Sequence, residues 1–125
     1  MTWNDLAQQK YVLLTTYKKD GTPVGTPVWV APDGDELVVW TNPKTGKVKR
    51  LRRNAAVTLR ACDSRGRPTG SEASAATARI LDTAGTEHVR DLIAGKYGLI
   101  GTVLIRGHTL IRGKNASVGL AITAA

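Results

Sequence analysis

Apolar and polar positions alternate over short runs through most of this chain, and only a few segments carry apolar residues at helical spacing. Tyr11 to Tyr17 (YVLLTTY) is rich in β-formers, and the Asp20-Gly21 pair behind it predicts a hairpin. Thr22 to Ala31 (TPVGTPVWVA) is the return strand. Its Pro23 and Pro27 lack a ladder donor, which puts it at an edge or a bulge. Pro32-Asp33-Gly34-Asp35 makes the next turn, and Glu36 to Thr41 (ELVVWT) forms a third strand. Ala56 to Cys62, about Gly70 to Leu81, and Ser117 to Thr123 supply the remaining three.

Helical patterning enters at four places. Thr2-Trp3-Asn4-Asp5 has the form of a capping box, predicting a helix over residues 3 to 9. Behind the break at Asn42-Pro43, Val48, Leu51 and Ala55 fall at i, i+3 and i+7, a narrow stripe that can pack on a sheet. Thr86 is placed to cap a helix running to Tyr97, with Val89, Leu92, Ile93 and Lys96 on one face and Gly98 to end it. Residues 99 to 112 suit either a helix or a hairpin, and helix is preferred. These elements predict a mainly β fold: one domain over residues 1–125, a six-stranded antiparallel barrel with short helices.

Charge changes the picture at one stretch. The formal net charge is +8, and six of the ten residues from Lys44 to Arg53 are basic with none acidic, so the rest of the chain carries only +2. Thr45, Gly46 and Lys47 fall in the first turn of the expected helix, where backbone N–H groups have no helical partner and the macrodipole is positive. That combination suits an anion, and Gly46 would let it approach the backbone closely. A solvated cationic helix without a ligand is the plain alternative.

Other chemistries are poorly supported. A phosphate loop of the nucleotide-hydrolase type would need glycine where Thr41 stands and a hydroxyl where Val48 stands. Gly95, Gly98 and Gly101 follow a helix rather than a strand, so they are no dinucleotide fingerprint. His88 and His108 lack ligand-spaced partners, and no metal site is expected. The single cysteine, Cys62, excludes an internal disulfide, and no apolar run approaches the ~20 residues of a membrane span. A cytoplasmic protein is expected. Nucleic-acid binding would call for exposed aromatics beside the cations, and this chain has only three Trp, three Tyr and no Phe. Trp29 and Trp40, on successive strands, read either as barrel core or as a flat wall for a planar ring.

The strings YVLLTTYKKDGTPVGTPVWV, WTNPKTGKVKRLRRNAAVTLRACD and KYGLIG resemble the flavin and deazaflavin oxidoreductase superfamily built on the split β-barrel of pyridoxamine 5'-phosphate oxidase. Within it the chain looks most like the branch using coenzyme F420, an 8-hydroxy-5-deazaflavin. The resemblance implies an FMN-binding type of split barrel and a homodimer with cofactor sites at the subunit interface. It implies that backbone groups of Thr26, Pro27 and Val28 line the deazaflavin ring. Thr41 with Lys44, Thr45, Gly46, Lys47 and Val48 would hold the phosphate, and Lys47 would be the chief cation. Lys49 and Arg50 would meet the oligoglutamate tail, and Arg60, Ala61 and Cys62 would close the pocket. Relatives often carry Arg or Ser where Thr45 stands, so FMN is the alternative cofactor. The implied reaction is hydride transfer from reduced cofactor to an electron-poor small molecule, with no catalytic side chain nameable. A carrier that holds F420 without turnover is a further reading.

Overall fold

The computed structural model describes residues 3–42, 46–69, 72–112 and 117–125, the stretch 99–112 by its backbone alone. In chain order the elements are α1 (Trp3–Ala7), β1 (Tyr11–Tyr17), β2 (Pro23–Val28), β3 (Val30–Asp33), β4 (Glu36–Thr41), α2 (Gly46–Arg53), β5 (Ala56–Cys62), β6 (Ser74–Ile80), α3 (Thr83–Arg112) and β7 (Val118–Ala124). Seven strands form one antiparallel sheet in the order β2-β1-β5-β6-β7-β4-β3. Its two end strands, β2 and β3, are separated in sequence only by Trp29. The sheet must therefore curl until its ends nearly meet, which is the split barrel.

The count corrects the expectation of six strands. The run from Thr22 to Ala31 is one uninterrupted β-like segment in sequence, yet it serves both ends of the sheet. Val28 still faces Val12 of β1, whereas Val30 already faces Val39 of β4. No glycine or turn pair marks the corner at Trp29, because the chain changes partner without reversing. Edge placement of the proline-bearing strand holds: Pro23 and Pro27 lie in β2, at the end of the sheet.

Alternation along β1 buries Val12, Leu14 and Thr16 and leaves Tyr11, Leu13, Thr15 and Tyr17 half-exposed. Val12 and Leu14 meet Val28, Val30, Leu37, Val39, Val57, Leu59, Ala61, Ala76, Ala78, Leu120 and Ile122 inside the barrel. A second cluster lies outside it, where Ala31 and Val38 meet Val89 and Ile93 of α3. That is why β4 reads as an unbroken apolar run: Leu37 and Val39 face the barrel while Val38 faces the helix.

Asp82 begins α3, its Oδ1 accepting the Gly85 N–H at 2.8 Å, so the helix starts at Thr83 and not behind a Thr86 cap. Thr86 is instead buried inside the first turns, where its Oγ1 accepts the Gly119 N–H of β7 at 2.9 Å. Gly98 breaks the helix as expected, with φ 66° and ψ −146°, a conformation that favours glycine. The backbone is helical again to Arg112, in line with the preferred reading of that stretch. Ala55 does not extend the α2 stripe. The helix stops at Arg53, and Asn54 Oδ1 accepts the Ala56 N–H at 3.1 Å to turn the chain into β5.

Candidate functional site

α2 lies against β1 and β6. Val48 and Leu51 are fully buried on its inner side, which holds the helix down by about 1.5–3 kcal/mol for each side chain removed from water. Lys47 is carried under with them and keeps only 9 % of its surface exposed. Among the described residues no carboxylate pairs with it. Burial and the nearby Arg50 charge both lower its pKa.

Arg50 bends back along the helix. Its Nε donates to Oγ1 of the buried Thr16 at 2.6 Å, and its Nη1 stands 2.5 Å from where a side chain at position 46 would begin. The start of α2 thus brings together a helix N-terminus, one largely buried lysine and one guanidinium, with no acidic partner for the lysine among the described residues. Lys44 and Thr45 lie outside the described residues. Lys49 is exposed, Thr41 is buried at the end of β4, and the Val48 side chain points into the protein, leaving only its backbone for a ligand.

Sheet register places the other predicted residues. Leu14 faces Thr26, Leu13 lies between Pro27 and Arg60, and Val12 lies between Val28 and Ala61. Backbones of 26–28 and 60–62 therefore flank one short length of β1. Their side chains divide between two faces: Val28 and Ala61 belong to the core, while Pro27 is exposed and Arg60 half-exposed. Thr26 is half-buried, and its Oγ1 is shut off from solvent without a hydrogen-bond partner. Cys62 is a buried free thiol, its pKa raised by burial and then by Asp63. It faces Tyr11, five residues from Thr16 along β1 and so roughly 17 Å from the α2 end. The predicted site is a strip along β1 rather than one tight cluster.

The two tryptophans are neither barrel core nor a free wall. Trp29 and Trp40 pack on the second cluster under α3, and the Trp29 ring stacks on Tyr97. Lys96 and Tyr97, placed by sequence only on a helix face and at its end, form a polar cluster with distant backbone. Lys96 Nζ donates to the carbonyls of Ala7 at 2.8 Å, Gln9 at 2.6 Å and Val30 at 2.6 Å. Tyr97 OH donates to Lys10 O at 2.6 Å and accepts the Val30 N–H at 3.1 Å. With Gln8 and Lys10 they line a cavity of about 290 Å³. The adjacent Lys-Tyr-Gly was visible in sequence, but nothing there signals that a lysine near a helix end will collect three carbonyls.

The curled antiparallel sheet with its inserted cationic helix defines the split-barrel class. The sequence signature of the pyridoxamine 5'-phosphate oxidase family matches residues 4–101, and the chain belongs to that family. Solved structures agree on the fold. An F420 reductase is 18% identical with TM-score 0.63, covering 100% of this chain and 94% of its own. An FAD-binding protein from Mesorhizobium loti is 17% identical with TM-score 0.64, covering 100% and 91%. HutZ, a haem storage protein from Vibrio cholerae, is 12% identical with TM-score 0.68, covering 98% and 87%. No curated protein sequence matches the chain significantly. Among the described residues no helix is long and apolar enough to cross a membrane, and no three His, Cys, Asp or Glu are grouped to hold a metal ion.

Proposed function

We propose that the chain is an F420-dependent oxidoreductase that passes hydride from reduced deazaflavin to an electron-poor small molecule, working as a homodimer in the cytoplasm. One observation carries this reading: Lys47 is buried beside Arg50 at the start of α2 with no acidic partner among the described residues. Burial of most of the Lys47 side chain beside a second cation disfavours its charged form, so the arrangement makes sense as the receptor of an anionic group. The orphaned Thr26 hydroxyl fits the same ligand. The family and an F420 reductase of like fold agree with it.

In this reading the α2 amides, Lys47, Thr41, Lys44, Thr45 and the Val48 backbone hold the phosphate. β2, an edge strand in the order of the sheet, offers backbone groups of Thr26 to Val28 to the ring. Arg60 to Cys62 close the far end of the strip, and Lys49 meets the outer, carboxylate-bearing tail. The cofactor supplies the hydride chemistry when bound. The chain's part is to neutralise the arm, fix the ring against β1 and exclude water.

A second reading is FMN as cofactor. It is favoured by the presence of two cations, Lys47 and Arg50, at the start of α2, which suits a doubly charged phosphate monoester. Nucleic-acid binding is less well supported because Trp29 and Trp40 are partly buried against the cluster at α3 rather than standing free beside the cations. Titrating purified protein separately with F420, FMN and FAD at physiological salt decides among these readings. Turnover of reduced F420 with an acceptor then separates an enzyme from a carrier, and binding of none of the three defeats the proposal.

A further inference from the structure

Arg50 was expected to reach outward toward an extended acidic tail, but its geometry ties it elsewhere. Its Nε is committed to the Thr16 hydroxyl at 2.6 Å, and Thr16 has no exposed surface, so this anchor sits on the rigid inner face of β1. Anchored there, the guanidinium folds over the first residue of α2, and Nη1 comes within 2.5 Å of the place a Cβ on residue 46 would occupy. Nearby Lys47, nine-tenths buried, is a second cation without an acidic partner among the described residues.

We propose that Thr16 is a positioning residue of the anion site: its hydroxyl holds Arg50 over the start of α2, beside Gly46. Arg50 is then a phosphate ligand together with Lys47, not a contact for the cofactor's tail. This deepens the cofactor reading by assigning the site a two-cation clamp with a structural brace. Arginine suits the task because one nitrogen can be fixed while the other two stay free to donate to a phosphate oxygen. A lysine would carry its donors on a single nitrogen and could not set a planar fork on the phosphate while anchored at Thr16.

Inorganic phosphate is the probe, titrated calorimetrically at constant ionic strength with chloride as the control. Wild-type protein is expected to bind it, Thr16→Val to bind it about tenfold more weakly, and Thr16→Ser to recover wild-type affinity, since only the valine lacks the hydroxyl. Arg50→Lys keeps the charge but not the fork, and should weaken phosphate binding to a similar degree. This second variant decides the matter if the buried valine impairs folding. Equal phosphate affinity in wild type and Arg50→Lys, in folded Thr16→Val, or no phosphate binding by wild type, would overturn the assignment. Phosphate binding that depends on Thr16 and Arg50 without binding of any redox cofactor would leave this clamp standing and remove the oxidoreductase reading. Cofactor binding that is indifferent to both residues would do the reverse.

Discussion

The rings of Trp29 and Tyr97 lie face to face, with centroids 4.3 Å apart and planes 9° from parallel. Trp29 is the corner where β2 becomes β3, so a residue of α3 clamps the point at which the sheet changes edge. The same tyrosine satisfies the Val30 N–H just beyond that corner and reaches Lys10 O before β1. Tyr97→Phe should keep the stack and lose both hydrogen bonds, one of them from a donor in a buried residue. Urea unfolding is expected to show a loss of about 1–3 kcal/mol. A change within error would mean that the hydroxyl is replaceable by water.

α3 approaches β7 so closely that Gly119 has no room for a methyl group. A Cβ there would lie 2.8 Å from Val89 Cγ2 and 3.2 Å from the Thr86 backbone. Gly119→Ala should push the helix away and strain the Gly119 N–H to Thr86 Oγ1 bond. A loss of about 1–3 kcal/mol in denaturant unfolding is expected.

Lys96 gives the fold a pH dependence whose sign can be worked out. Burial lowers its pKa from 10.5 to about 8, against three carbonyls that favour the proton. Between these values the unfolded chain holds the proton more often than the folded one, so this group's contribution rises as pH rises from about 8. Tyr97, with its pKa raised from 10.0 to about 12, acts in the opposite sense above pH 10 because its ionised form is disfavoured in the fold. Lys47 and Cys62 are also shifted but contribute alike to wild type and to a Lys96 variant, so in the window from about pH 8 to 10 the difference between the two proteins isolates Lys96. The stability difference between wild type and Lys96→Met should shift in favour of wild type across that window, as read from unfolding curves at several pH values. A flat difference would show that the carbonyls cancel the burial.

Lys47 separates binding from folding. Without ligand, Lys47→Met removes a buried charge that Arg50 repels and puts an apolar stem in its place. The melting temperature should stay level or rise, while cofactor affinity falls about ten- to hundredfold. A lysine kept only for structure would give the opposite pattern, a lower melting temperature and unchanged binding.

Much of the barrel could be read from the chain because its strands obey local rules: alternation in β1, an Asp-Gly turn, prolines at the edge. The missed strand had no local signature, since the corner at Trp29 is made by a change of partner rather than by a turn residue. α3 shows the same limit. Its end at Gly98 follows from backbone freedom, whereas its start moved to Asp82 because burial against Gly119 claimed the Thr86 hydroxyl. At the candidate site, the cationic helix start was plain from composition. What composition could not reveal was direction: Lys47 goes inward, and Arg50 is turned back by Thr16. The Lys96 cluster depends on carbonyls from Ala7, Gln9 and Val30, residues distant in sequence that only the fold assembles.

Calorimetric titration of F420 into wild type and Lys47→Met tests the central claim most directly. The account predicts saturable binding to wild type and a Kd about ten- to hundredfold higher for the variant, with the protein still folded. Equal affinity in the two, or no binding of F420, FMN or FAD by the wild type, would contradict it.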